Sequence, residues 1–321
     1  MGKIHYFCGS MRRILAIICC IGVAMVVAKA QTTRDSWMAN LPDSMLVRKV
    51  SIPGTHDSGT AGVRFPMRHY ARTQTMDLSE QWDAGIRFFD LRPKPADGTI
   101  KIYHGPADCH LTLEDALLTL KGKLESNPTE FCIVMINMAG GGQEGTDMVM
   151  KMIAQVLPED MIAPFVKGMT VSDLRGRIFF MSRNHPTYVS DTHGALVRSW
   201  AHNNLSYWPR LWTGEVDALL WVQDYYTSGN NDVDLYLETK WKSMKKLMTD
   251  FARDFQDTWC INHASGYTGK GIRTNIRRCS DYINSHLEEY LKDHHGPIGI
   301  IPMDFPSQEL IDAIIDCNQL E

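Results

Sequence analysis

Eight short, almost wholly apolar runs recur along the chain, and they narrow its fold more than any other feature. They are Leu46–Ile52, Ile86–Leu91, Ile100–Tyr103, Phe131–Asn137, Arg177–Met181, Ala218–Gln223, Thr258–Ile261 and Ile298–Met303. A strand apolar on both faces must be covered on both faces, as in a parallel sheet clad by helices. Amphipathic segments lie between the runs. Thr112 opens one, with Asp115 three residues later as in a capping box and a stripe of Leu113, Leu117, Leu120 and Leu124. Others run over 144–156, 238–254 and 275–292. Strands alternating with helices predict an α/β architecture, and eight of them in one chain suit a TIM-type (β/α)8 barrel. The barrel is expected to be irregular. Only twelve positions separate Arg92 from His104, too few for a strand, a helix and another strand, so a loop should replace the helix over 93–99.

The first thirty residues stand apart. Lys3, Arg12 and Arg13 precede the uncharged run Ile14–Ala28, and Ala28-Lys29-Ala30 then offers small residues before Gln31. That is the pattern of a secretory signal, 1–30, cleaved after Ala30. The run of fifteen is short of the roughly 20 residues a membrane-spanning helix needs. A lipoprotein signal through Cys19 or Cys20 fits less well, because large Ile side chains precede them. The expected protein is therefore exported, periplasmic or secreted, with one catalytic domain over 31–321. No repeat or Pro/Gly-rich linker divides that domain.

Removing 1–30 takes away four basic residues and no acidic one, leaving 29 basic against 37 acidic, a net charge of −8. This balance excludes nucleic acid as the expected partner and argues against strong nonspecific attraction to anionic membranes. Five cysteines remain: Cys109, Cys132, Cys260, Cys279 and Cys317. Their odd number and lack of C-x-x-C spacing suit neither a zinc site nor a disulfide framework, and Cys132 and Cys260 lie within apolar runs as small hydrophobes would.

In a parallel barrel, catalytic side chains come from the C-terminal ends of strands and the loops that follow. Here those ends carry His56-Asp57, Asp90-Leu91-Arg92, Tyr103-His104-Gly105, Asn137, Ser182-Arg183, Gln223-Asp224-Tyr225-Tyr226, Asn262-His263 and Met303-Asp304. Each has an ordinary structural alternative: a lone His as a hydrogen-bonded spectator, Asp304 as a helix cap, Arg183 in an ion pair. Together at one mouth, His56, Arg92, His104, Arg183, Asp224 and Asp304 point to an active site. Two His, carboxylates and an Arg suit phosphoryl transfer. One neutral imidazole takes a proton from the nucleophile, a protonated one supplies the leaving oxygen, and an Arg fork binds phosphate oxygens. The rival is a metal site, which wants several carboxylates or three clustered ligands; here Arg92 offers a fixed cation instead.

With these residues the chain resembles the bacterial phosphatidylinositol-specific phospholipases C. The resemblance covers most of 31–321 and is carried by Ile52-Pro53-Gly54-Thr55-His56-Asp57-Ser58, Gly85-Ile86-Arg87-Phe88-Phe89-Asp90-Leu91-Arg92, His104-Gly105, Arg175-Gly176-Arg177 leading to Arg183, Val222-Gln223-Asp224 with Tyr226, and Met303-Asp304-Phe305-Pro306. It implies that His56, supported by Asp304, is the general base for the inositol 2-hydroxyl. It likewise implies that Arg92 binds the phosphate and that His104, with Asp57, protonates the departing diacylglycerol oxygen. Arg183, Asp224 and Tyr226 look like the family's inositol contacts. Arg92 stands where calcium-using members place an acid, so the resemblance implies no metal cofactor. Asn137 is a departure, standing where bacterial members can carry a Lys that touches inositol. Gly140-Gly141-Gly142 lacks the Lys and Ser/Thr of a phosphate-binding loop.

The expected substrate is thus phosphatidylinositol or a glycosyl-inositol lipid, with transient contact at a membrane surface. Tyr207, Trp208, Leu211 and Trp212 around Pro209 suit either the interface or packing beneath a loop. Two alternatives remain open at this point. One is a metal-dependent glycerophosphodiester phosphodiesterase, marked by chelator sensitivity. The other is a catalytically silent lipid- or sugar-binding barrel, against which the intact His, Asp and Arg set argues.

Overall fold

The computed structural model of the protein describes residues 33–183, 194–229, 232–255 and 257–319. The expected signal, 1–30, lies outside the described residues. Among the described residues, thirteen strands form two sheets. They are β1 (Ile52–Thr55), β2 (Phe88–Leu91), β3 (Pro93–Ala96), β4 (Thr99–His104), β5 (Ala107–Thr112), β6 (Cys132–Ile136), β7 (Ile178–Arg183), β8 (Ala195–Arg198), β9 (Asn204–Tyr207), β10 (Arg210–Trp212), β11 (Asp217–Asp224), β12 (Trp259–Asn262) and β13 (Ile300–Met303). Pairing runs β10-β8-β7-β6-β2-β1-β13-β12-β11 and returns from β11 to β10, so nine strands close a barrel. Eight are mutually parallel, and the antiparallel β10 fills the gap between β8 and β11. This is the irregular (β/α)8 barrel expected.

Helices clad it: α1 (Leu78–Ala84), α2 (Leu113–Ser126), α3 (Gly142–Val156), α4 (Val233–Arg253), α5 (Ile276–Leu291) and α6 (Gln308–Asp316). Helix α2 follows its sequence pattern closely. Thr112 Oγ1 accepts from Asp115 N at 3.0 Å, and Leu113, Leu117, Leu120 and Leu124 are all buried. The alternation along each strand sorts two cores. Phe89, Leu91, Cys132, Val134, Ile136, Phe180, Ile301 and Met303 face the helices. Their neighbours Phe88, Ile133, Met135, Phe179, Met181, Leu220, Val222, Trp259, Ile261 and Ile300 fill the barrel interior.

Three strand expectations need correction. Leu46–Ile52 is not a strand: a short 3-10 turn, Val47–Lys49, places Val47 and Val50 in the interior core, and β1 begins only at Ile52. Ile100–Tyr103 is a strand, but of a separate three-stranded antiparallel sheet β3-β4-β5. Its one-sided alternation, with Ile100 and Ile102 buried and Lys101 and Tyr103 partly open, suits a sheet covered on one face only. The eighth parallel strand is instead Ala195–Arg198, too short to stand out as an apolar run. The segment 93–99 holds no helix; β3 and β4 form a hairpin there.

Candidate active site

The mouth of the barrel is made by one rule: the inward-facing alternation ends in a polar residue, at the last position of β7 and β11 and one position past β1, β2, β6, β12 and β13. Ile52 and Gly54 lead to His56, Phe88 and Asp90 to Arg92, Ile133 and Met135 to Asn137, and Phe179 and Met181 to Arg183. Leu220 and Val222 lead to Asp224, Trp259 and Ile261 to His263, and Ile300 and Pro302 to Asp304. All seven end residues line one cavity of about 950 Å³, joined by His104 and Tyr226. Every site residue expected from sequence except Asp57 therefore lines it, and Asp57 is buried directly behind the histidines. Gly54 is required at its place, because a Cβ there would stand 2.9 Å from Phe88.

The loop after β1 is tied down on both sides. Gln74 Nε2 donates to the carbonyls of His56 and Met303, each at 2.8 Å, and Thr73 Oγ1 donates to the His56 carbonyl at 3.0 Å. Asp57, in the left-handed region at φ 46°, is followed by Ser58, whose Oγ accepts from Asp90 N at 2.8 Å. Asp304 is fixed through Gly266 N, which donates to its Oδ2 at 3.1 Å, and through Asn284 Nδ2, which donates to its carbonyl at 2.9 Å.

Within this frame, His56 Nδ1 lies 2.9 Å from Asp304 Oδ1. Asp57 Oδ2 is shared, 3.2 Å from His56 Nε2 and 3.3 Å from His104 Nε2. The two rings stand edge to face with centroids 6.2 Å apart. Arg92 Nη2 reaches Asp90 Oδ2 at 3.1 Å and His56 Nε2 at 2.8 Å, while its Nε, 2.7 Å from Asp57 Oδ1, is not aimed to donate. An arginine nitrogen has only protons to offer, so the short contact favours a lone pair on His56 Nε2 with the ring proton on Nδ1, toward Asp304, whereas Asp57 beside Nε2 favours the charged ring. Burial works against charging His56, but Asp57 and Asp304 outweigh it and raise its pKa to about 9. A base this strong is mostly charged at neutral pH, so the form that can take a proton is the neutral one that the Arg92 contact favours. His104 differs: its Nδ1 faces the Ala71 carbonyl at 2.8 Å, an acceptor only, so that nitrogen carries a proton. Any proton His104 delivers to the cavity leaves from Nε2.

Ligand atoms of His56, Asp57 and Asp90 lie within 4.8 Å of one another, as a metal would ask. The Arg92 guanidinium, however, is within 3.1 Å of each of the three side chains. Asp90 is held well below the usual carboxylate range: burial opposes this, and Arg92 and His56 overcome it.

The opposite wall has a different chemistry. Arg183 lies over Trp200 at 4.2 Å, with Nη2 3.4 Å from Asp224 Oδ2, and Trp200 Nε1 donates to the same oxygen at 2.9 Å. His263 Nε2 and Arg183 Nε are buried without a hydrogen-bond partner. Burial lowers the His263 pKa to about 4, against the pull of Asp224. Tyr226 is placed by Asn203, whose Oδ1 accepts from its backbone N at 3.0 Å.

Sequence reasoning passed over Asp90, His263, Trp200, Gln74 and Lys240 as site residues. Period-two spacing would have found the first two, which face inward with Arg92 and Ile261. Lys240, fully buried on α4, donates to the carbonyls of Tyr225 (3.0 Å) and His263 (2.8 Å), pinning two mouth loops together. Nothing local in the sequence marks such a role. The aromatic cluster is partly packed, with Tyr207 and Trp208 still exposed. Trp208 stacks on Trp221 at 4.5 Å and against Phe255, Leu211 is buried, and Arg198 covers Trp212 at 3.3 Å.

No family model matches the chain. It is 26% identical over 303 residues to a 1-phosphatidylinositol phosphodiesterase of Listeria monocytogenes, covering 91% of this chain and 87% of that protein. A protein of the same description from Staphylococcus aureus is 24% identical, covering 89% and 94%. The solved phosphatidylinositol-specific phospholipase C of L. monocytogenes superposes with a TM-score of 0.72 at 25% identity, over 90% of this chain and 100% of that one. In sequence over about 90% of its length, and in its barrel, this chain is a homologue of the bacterial phosphatidylinositol-specific phospholipases C.

Proposed function

We propose that this protein is a phosphatidylinositol-specific phospholipase C, cleaving the glycerol–phosphate ester to give diacylglycerol and a cyclic inositol phosphate. The observation that supports it best is the shared carboxylate: Asp57 Oδ2 stands 3.2 and 3.3 Å from the Nε2 atoms of two differently supported imidazoles, with Arg92 beside them. In this reading Arg92 turns from His56 to the phosphate oxygens as substrate enters. His56 Nε2 then removes the proton of the inositol 2-hydroxyl, whose oxygen attacks phosphorus. As the bond to the glycerol oxygen breaks, His104 Nε2 supplies that oxygen with a proton. Water opening the cyclic phosphate would use the same pair with the roles exchanged.

Arg183, Asp224, His263 and Tyr226 suit a polyol headgroup, since hydroxyls both donate and accept and the wall holds orphaned polar atoms. Asn137 replaces a charged contact with a neutral one, so headgroup affinity would rest mainly on Arg183 and Asp224. The membrane contact falls to the rim before His104, where Phe65 is 92% exposed and Met67 and Tyr70 line the cavity.

The test is cleavage of phosphatidylinositol in EDTA, followed by phosphorus NMR. Full activity with a cyclic product supports the proposal; loss of activity in EDTA favours the metal-dependent phosphodiesterase. The N-terminal pattern supports export as part of the proposal, and mature protein beginning at Gln31 in the periplasm or medium is the expected finding.

A further inference from the structure

Beside the catalytic cavity, and sharing Ile276 with it, lies a second basin of about 540 Å³. Three guanidinium groups line it, Arg68, Arg72 and Arg277, together with His69, and no acidic side chain among the described residues does. Arg277 lies over the Phe305 ring at 3.5 Å. Arg72 donates to the carbonyls of Gln74 and Thr75, which hold it in place without neutralising it. Its pKa is lowered, first by burial and then by repulsion from Arg68 and Arg277, as for cations crowded without a counter-ion. A chain whose net charge is −4 thus gathers uncompensated positive charge at one spot, next to Phe65, the most exposed large apolar side chain among the described residues. Guanidinium forks match phosphate oxygens.

We propose that Arg68, Arg72 and Arg277 form a second phosphate site, which takes the headgroup of a neighbouring, uncleaved anionic phospholipid and seats the catalytic mouth on an anionic membrane. The proposal rests on the membrane-lipid reading above for its choice of ligand. The position favours a lipid over a free anion, because Phe65 at the basin's edge would enter the same surface that presents the phosphate. The site is also joined to the catalytic groups. The segment that carries Arg68 and Arg72 supplies the Ala71 carbonyl held by His104 and the Thr73 and Gln74 side chains that hold the His56 carbonyl. A lipid bound there would steady the supports of both histidines.

The test measures binding of the mature protein to phosphatidylcholine vesicles with and without phosphatidylglycerol, an anionic lipid that is not the substrate. The variants are Arg68→Gln/Arg277→Gln and the charge-keeping Arg68→Lys/Arg277→Lys. A basic side chain near an anionic surface contributes about fivefold, so the Gln pair is expected to weaken binding to phosphatidylglycerol vesicles about 30-fold. Binding to pure phosphatidylcholine and turnover of a monomeric short-chain phosphatidylinositol should not change, and the Lys pair should keep most of the binding. Equal binding by parent and Gln pair would overturn the site. Tight binding of inorganic phosphate without any preference for phosphatidylglycerol vesicles would overturn its assignment to a lipid. Because the anionic lipid is not cleaved, the binding result stands apart from whether the protein cleaves phosphatidylinositol.

Discussion

Two arginines five residues apart that flank β2, Arg87 and Arg92, show how this barrel separates stability from chemistry. At the base of β2, Arg87 is wholly buried and all its nitrogens are partnered. Nε and Nη2 meet Glu130 at 3.0 and 2.9 Å, Nη1 donates to the carbonyls of Trp82 and Ile86, and Nη2 also reaches the Asp35 carbonyl. Its guanidinium lies over Trp82 at 3.9 Å. At the top of the same strand, Arg92 has carboxylates around it yet an Nε without a hydrogen bond and an Nη2 turned onto a histidine. A satisfied buried charge holds a structure together. An unsatisfied one, kept in a cavity by Asp57 and Asp90, is waiting for an oxygen that the protein does not supply.

The sharpest way to break this contrast is at Arg87. Arg87→Met strands the buried Glu130 carboxylate and should cost about 3–5 kcal/mol of stability, while kcat of the folded protein stays near parental. Denaturant unfolding beside kinetics would show both. Arg92→Ala should act chiefly on chemistry, lowering kcat about 10²- to 10³-fold, with a smaller loss of stability than Arg87→Met because the histidines still face Asp57. If the two variants behaved alike, the division between base and mouth would be wrong.

A smaller effect sharpens the account of His56. Asp304 is one of the two carboxylates that raise its pKa to about 9. Asp304→Asn should therefore lower the basicity of His56, and the acidic limb of the kcat/KM profile should move to lower pH even as the rate falls. A limb that stays put would mean that Asp57 alone sets the base.

Much of the mouth was legible because period-two alternation on doubly apolar strands is strict. His56, Arg92, Arg183, Asp224 and Asp304 each follow such a run, and all face one cavity. Asp90 and His263 stood at the same strand ends, and the same alternation turns them inward as site residues. His104 was found for an incomplete reason: it ends a strand, but one in the outer sheet, whose one-sided burial pattern differs from that of the barrel. Val47 and Val50 read as strand because buried turns and strands use the same residues. Trp200 and Lys240 act across long sequence separations, Trp200 on Asp224 and Lys240 on His263, and only the folded chain brings them together. Arg87 and Arg92 were indistinguishable in sequence, since what separates them is the partners waiting at each end of the barrel.

The central claim is that the two histidines have different jobs. The most direct measurement compares His104→Ala and His56→Ala on phosphatidylinositol and on an inositol phosphodiester with a good, nitrophenol-type leaving group. A leaving group that departs without a proton has no need of a general acid. His104→Ala should thus lose about 10² to 10⁴ in kcat/KM on the lipid but recover most of it on the activated diester, while His56→Ala stays impaired on both. Equal recovery in the two variants, or none in either, would contradict the assignment of base and acid.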